Sequence, residues 1–196
     1  MNKKNLIWAI IIGAVIIGAG VYYFVFYSSP SNSQHPQNQQ AATQAQMVDR
    51  PQYSVSVPEG WVEVQAPTGA STMVVNALEQ QTDPNLQKIN FRTYYSVSYD
   101  MSSSTLADYV KLNKNSLTQL IQGVTFSNEK EVTINGRDAY SMDMQLTQQG
   151  VDFKVKMVTF RGNGNDIWIL ALNTVPAYWD GYQDTFNQVI NSFTIK

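Results

Sequence analysis

The sequence predicts an α+β domain, an antiparallel sheet flanked by helices, preceded by one N-terminal transmembrane helix. Three observations lead there. Leu6–Tyr27 is a long apolar run without a charged residue. Beyond residue 50, apolar residues repeat at period two in several segments separated by Gly- and Asn-rich turns, one of them Asn135-Gly136. Two further segments, after Thr105 and after Pro176, carry apolar residues at helical spacing instead.

The apolar run comes first. As a helix, Leu6–Tyr27 would span roughly 33 Å at about 1.5 Å per residue, matching a hydrocarbon core about 30 Å thick. Trp8 near one end and Tyr22, Tyr23 and Tyr27 at the other fit interfacial aromatic belts. Lys3 and Lys4 precede the run, and no Lys or Arg follows it until Arg50. The positive-inside rule therefore places residues 1–5 in the cytoplasm and everything after Tyr27 outside it. A cleaved signal peptide ending at Gly18-Ala19-Gly20 is the competing reading. The apolar run continues well past Gly20, which favours a retained anchor at the cell membrane. Ala14 and Gly18 have the spacing of a helix-pairing motif, although small residues are ordinary in spanning helices.

Residues 28–50 are a different material, rich in Gln, Ser, Asn and Pro, with almost no apolar bulk. Such a segment cannot bury enough surface to fold and reads as a disordered tether. At about 5–6 Å times the square root of its length, its typical span is on the order of 25 Å. His35, the chain's only histidine, falls in this tether beside Pro36 and reads as solvated.

Residues 51–196 form the expected extracytoplasmic domain. Tyr53–Val57 alternates as a strand, Pro58–Gly60 turns, and Trp61–Gln65 resumes extended structure. Thr72–Leu78 and Lys88–Ser98 follow as strands. In the latter, Ile89, Phe91, Thr93, Tyr95 and Val97 are expected on one face, with Asn90, Arg92, Tyr94, Ser96 and Ser98 on the other. Thr105-x-x-Asp108 resembles a capping box opening a helix, along which Leu106, Tyr109, Val110, Leu117, Leu120 and Ile121 form the apolar stripe before Gly123. A meander comes next: Val124–Ile134, the Asn-Gly turn, Arg137–Gln148, a Gln-Gly turn, Val151–Arg161, Gly162–Asn165, and Asp166–Thr174. Ile167–Leu172 is apolar on both faces, so that strand should be central with helices on each side. Pro176 opens a last helix carrying Trp179, Tyr182, Phe186, Val189 and Ile190, and Ser192–Ile195 suits a short closing strand. The combination suggests an α/β/α sandwich.

Composition narrows function mainly by exclusion. The formal charge is −2, the charges are scattered, and no basic stripe exists, which argues against nucleic acid. Without cysteine there is no disulfide, thiolate or Cys-ligated metal. Without histidine in the domain, Ser-His and Cys-His catalysis are ruled out. Glu129 and Glu131 are expected to share a face opposite Lys154 and Lys156 as surface charge pairs. Asp180 and Asp184 read as a solvated helix face. Gly162–Asp166 lacks the ligand pattern of a calcium loop and reads as a hairpin turn. Trp168 and the strand tyrosines read as core, while Arg92 and Tyr94 are the candidates for a partner surface. No catalytic residue, metal ligand or cofactor is assigned.

Taken in order, Tyr53-x-Val-x-Val-Pro-x-Gly-Trp61, Asn135-Gly-Arg-x-Ala-Tyr140, the aromatic strand at Trp168–Leu172, the helix with Trp179 and the closing Asn191-Ser-Phe193 resemble the PsbP-like domains of the Mog1/PsbP superfamily. The resemblance spans about residues 53–195. It implies an α/β/α sandwich around an antiparallel sheet and a non-enzymatic role. The expectation is a module that binds or stabilises a membrane or envelope protein complex, with small-ligand or ion binding, calcium among the ions, as the alternative and an exported hydrolase last. No site residue is carried over, because the domain has no histidine to match the family's histidine-containing metal sites.

Overall fold

The structure, a computed structural model, describes residues 46–196. The expected anchor Leu6–Tyr27 and nearly all of the tether lie outside the described residues. Among the described residues, no helix is long and apolar enough to cross a membrane.

The fold starts before the expected boundary at residue 51. Strand β1 (Met47–Asp49) pairs antiparallel with β2 (Tyr53–Ser56), and β10 (Thr194–Ile195) pairs with the other edge of β2. This three-stranded sheet, which joins the two ends of the domain, was not foreseen. The main sheet has seven antiparallel strands: β3 (Trp61–Val64), β4 (Thr72–Asn76), β5 (Tyr94–Met101), β6 (Thr125–Ile134), β7 (Arg137–Gln148), β8 (Val151–Arg161) and β9 (Asp166–Thr174). Their spatial order is β3-β4-β5-β9-β8-β7-β6. β9 is thus the central strand, as its two-sided apolar sequence requires.

Each face of the main sheet carries its own core. On one face, helix α2 (Leu106–Leu120) packs Tyr109, Val110 and Leu117 onto Met142, Met144, Met157 and Ile169. Thr105 caps α2, accepting from the Asp108 amide at 3.1 Å. Leu120, expected in the apolar stripe, is 45% exposed at the helix end. On the other face, helix α3 (Gln183–Ser192) and the small sheet share one layer, with Phe186, Val189, Tyr53 and Val55 packed against Trp168, Leu170 and Tyr95. The sandwich is therefore helical on one side and mixed on the other. Before α3, residues 176–182 form two 3₁₀ turns rather than the expected helical start.

The strand expected from Lys88 starts only at Tyr94. Asp83 accepts from the Asn85 amide at 2.7 Å, and Pro84 opens a short helix, α1 (Pro84–Lys88). Asn90, at φ 47°, then turns the chain. Alternation cannot run back through these residues, so Phe91 joins the same core as Tyr94, with ring centroids 6.2 Å apart, and not the face of Tyr95. The hairpin turns are as expected: Asn135-Gly136 and Gln149-Gly150 all have positive φ, the geometry that matches strand twist.

Candidate functional site

The residues singled out for possible chemistry are mostly occupied in holding the fold. Glu129 and Glu131 do not face Lys154 and Lys156, because β7 lies between β6 and β8. A bulge between Ser127 and Lys130, with Asn128 at φ 53°, also interrupts the alternation on which that pairing was based. Glu129 instead accepts from Lys114 Nζ at 2.5 Å and from the Tyr140 hydroxyl at 3.1 Å. The Lys114 ammonium, followed by Tyr140, holds its carboxyl below the usual range. Lys156 pairs with Asp143 at 2.9 Å, while Lys154 lies 4.3 Å from the Trp179 ring centroid.

Tyr94, proposed for a partner surface, is buried, and its hydroxyl is pushed far above the ordinary tyrosine value by desolvation. Arg92 is committed to the Ala77 carbonyl. In the Gly162–Asn165 turn, the Gly162 amide donates to the Asp166 carbonyl at 2.8 Å. Asn163 accepts from Arg137 at 2.9 Å and donates to the Lys196 carbonyl at 3.1 Å. Asp180 and Asp184 sit on a 3₁₀ turn and on α3. Among the described residues, no group of three His, Cys, Asp or Glu side chains is placed to hold a metal.

A cleft of about 390 Å³ lies on the mixed face, at the end of the sheet that α3 leaves uncovered. Its volume falls within the roughly 300–1,000 Å³ of ordinary ligand sites. Arg50 and Gln52 reach it from the β1–β2 connection, Ser71 from the approach to β4, Tyr99 from β5, and Asp166 and Trp168 from β9. Tyr53 completes the wall. Register explains the meeting of the last three, since Tyr99 pairs with Trp168 directly across β5 and β9, and Asp166 shares their face.

The floor is aromatic. The Trp168 centroid lies 4.9 Å from Tyr99 and 5.0 Å from Tyr53, and Tyr53 lies 5.6 Å from Phe193. This chain of rings runs from solvent into the core: Tyr99 is 39% exposed and Trp168 only 4%. Tyr53 is fixed by hydroxyl contacts to Ser71 at 3.0 Å and Thr72 at 2.6 Å. The Tyr99 hydroxyl donates to Asp166 Oδ1 at 2.8 Å, and that bond raises its pKa. Arg50 is paired with Glu63.

One atom in this wall stands out. Trp168 Nε1 is the only buried side-chain polar atom without a hydrogen-bond partner among the described residues. Leaving a buried donor unpaired costs about 1–3 kcal/mol. The indole edge that carries it is crowded beside Gly162. A Cβ on Gly162 would sit 3.1 Å from Nε1 and 2.7 Å from the Asp166 Cβ. Trp168 lies in the core, as its two-sided apolar strand predicts, whereas nothing in the sequence marks Arg50, Gln52, Ser71 and Tyr99 as neighbours. These come from separate segments, and no local motif marks them.

Comparison with known proteins gives the family and the fold. The PsbP family model matches residues 43–195. No curated protein sequence matches the chain. Among solved structures, cyanobacterial PsbP (CyanoP) from Synechocystis sp. PCC 6803 is similar with a TM-score of 0.60 and 16% identity, covering 83% of this chain and 98% of that one. LpqN, involved in cell envelope biogenesis of Mycobacterium tuberculosis, has a TM-score of 0.55 and 18% identity, covering 78% and 91%. The Saccharomyces cerevisiae Ran-binding protein Mog1p has a TM-score of 0.53 and 10% identity, covering 79% and 96%. At these identities the structural likeness shows the fold alone.

Proposed function

The chain belongs to the PsbP family, and from that premise we propose that it is a non-enzymatic binding domain, anchored in the cell membrane by Leu6–Tyr27 and held on its extracytoplasmic side, where it binds or stabilises a membrane or envelope protein complex. The family match over residues 43–195 carries the reading. It accounts for almost everything after the tether as one domain and leaves the uncharged apolar run and most of the tether outside it. Of the carboxylates with a candidate acid–base or metal role, Glu129 is engaged by Lys114 and Tyr140, and Glu131, Asp180 and Asp184 are exposed, which supports binding rather than catalysis.

In-cell crosslinking of the full chain followed by mass spectrometry tests this. Lys88, Lys111 and Lys130 offer attachment points. The expected result is reproducible recovery of one membrane or envelope protein, lost when Leu6–Tyr27 is replaced by a cleavable export signal. Recovery of nothing above background would sink the proposal. Protease treatment of intact spheroplasts tests the orientation separately: the domain should be digested, and a protected domain would place it on the wrong side. A second reading, small-ligand binding, is favoured by one observation, the aromatic-floored cleft between Arg50 and Asp166.

A further inference from the structure

We infer that this cleft is a binding site for a hydroxyl-rich ring, a saccharide unit. The inference rests on the second reading above, that the cleft takes a small ligand, and it names the class.

The two charged groups at the cleft are of opposite sign, Arg50 and Asp166. Arg50 is already engaged by Glu63. An anion would find no free counter-charge there, while Asp166, hydrogen-bonded only by the neutral Tyr99 hydroxyl, keeps one oxygen open to a hydrogen-bond donor.

Hydrogen-bonding capacity comes next. Asp166 uses Oδ1 for the Tyr99 hydroxyl, which leaves Oδ2 as an acceptor. The Gln52 amide, which makes no side-chain hydrogen bond among the described residues, offers both a donor and an acceptor. The rim thus presents donors and acceptors side by side. A hydroxyl is the small neutral group that both donates and accepts, and several around one ring would satisfy such a rim.

Shape completes the case. Tyr99 presents its ring at the mouth, backed by Trp168 at 4.9 Å. A rigid aromatic face suits the C–H face of a saturated ring, for which it supplies contact area with little conformational loss. An all-apolar ligand would leave Asp166 and Gln52 desolvated without partners, which disfavours it.

The test uses the full chain, ¹⁵N-labelled, in a detergent without a sugar headgroup. The probes are glucose, mannose, galactose and N-acetylglucosamine oligosaccharides, with a mixed library of neutral non-sugar fragments as a second arm. The Trp168 indole N–H resonance is the local reporter. The expected result is saturable, millimolar or tighter binding of at least one saccharide, with shifts confined to Trp168, Tyr99, Asp166 and their neighbours. Tyr99→Ala and Asp166→Asn should each weaken it at least about tenfold. Should Tyr99→Ala fail to fold, Asp166→Asn and the wild-type shift pattern still decide. Fragments binding at the cleft with no saccharide response would overturn the saccharide class while leaving the ligand reading intact. No response to either arm would overturn both. Saccharide binding unchanged by Asp166→Asn, or shifts at another face, would also refute the assignment.

Discussion

Lys156→Met should destabilise the domain more than the partial exposure of Lys156 suggests. Asp143, on β7, is 3% exposed and faces Lys156 in register on β8. One carboxylate oxygen accepts from Lys156 Nζ at 2.9 Å and the other from Asn128 Nδ2 at 2.7 Å. Removing one member of a buried ion pair leaves an uncompensated charge and costs about 3–5 kcal/mol. The Lys156 side chain is 16% exposed, so water can partly replace it, and the lower end, about 3 kcal/mol, is expected. At about 2–4 °C per kcal/mol for a chain of this size, Tm should fall by about 6–12 °C. Asp143→Leu should cost less, because a long lysine stem can swing its ammonium into water and a short buried aspartate cannot. The double variant should recover most of the Lys156→Met loss, since replacing both charges with apolar groups is often near neutral. Exposed Asn128 would then bond to water. Thermal melts and urea unfolding of the four proteins, followed by far-UV circular dichroism, close the cycle. A Tm change under 2 °C for Lys156→Met, or a double variant as unstable as the two single losses combined, would refute the reasoning.

Three other outcomes follow from the same structure. Glu129→Gln should lower Tm at pH 7 and lose its effect in acid. The carboxyl's folded pKa is depressed by Lys114 and Tyr140, so its contribution is present above the unfolded value of about 4.3 and disappears as pH falls through the folded value. A gap between variant and wild type that stays constant from pH 7 to pH 3 would contradict this. In alkali the sign reverses. Burial pushes Tyr94, Tyr95 and Tyr109 far above the ordinary tyrosine value of about 10, and Tyr182 up to about 12 by desolvation and its bond to Glu79. The stability they contribute is intact below about pH 10 and is lost as pH rises through the folded values. Absorbance at 295 nm should therefore show these four tyrosines ionising together with loss of the circular dichroism signal, and ionisation of all eleven tyrosines with the signal intact would be the wrong result. Phe186 is fully buried between Trp179 and Tyr182, at 6.1 and 5.7 Å. Phe186→Ala should cost about 3–5 kcal/mol in urea unfolding without a change in slope.

The parts of this fold that the sequence reveals are those that rest on local chemistry. Strands β7 and β8 start where expected because Asn135-Gly136 and Gln149-Gly150 supply turns with positive φ and so set register. Thr105 marks the start of α2 because its hydroxyl has an amide to accept from. What escapes reading is short or non-local. Strand β1 has only Val48 as an inward residue, so no alternation marks it. Helix α1 is little more than one turn, too short for a periodic pattern, although Asp83-Pro84 was a usable start signal. The cleft is the extreme case. Its wall is assembled from both sheets, and Tyr99 meets Trp168 only through the pairing of β5 with β9.

That pairing also governs how the domain must come together. Strands β3, β4 and β5 form one local meander and β6 to β9 another, each linking sequence neighbours. The single seam between them joins Tyr94 to Asn173 and Met101 to Asp166. Until the chain has emerged as far as β9, β5 lacks one of its two neighbours, and both meanders keep an open inner edge. Closing such a distant seam is slow, and unpaired edges invite other chains. The seam at the centre of the finished sheet is thus its most vulnerable edge during folding. Substitutions along the seam should reveal themselves first as aggregation during synthesis, before any loss appears in the stability of the folded protein.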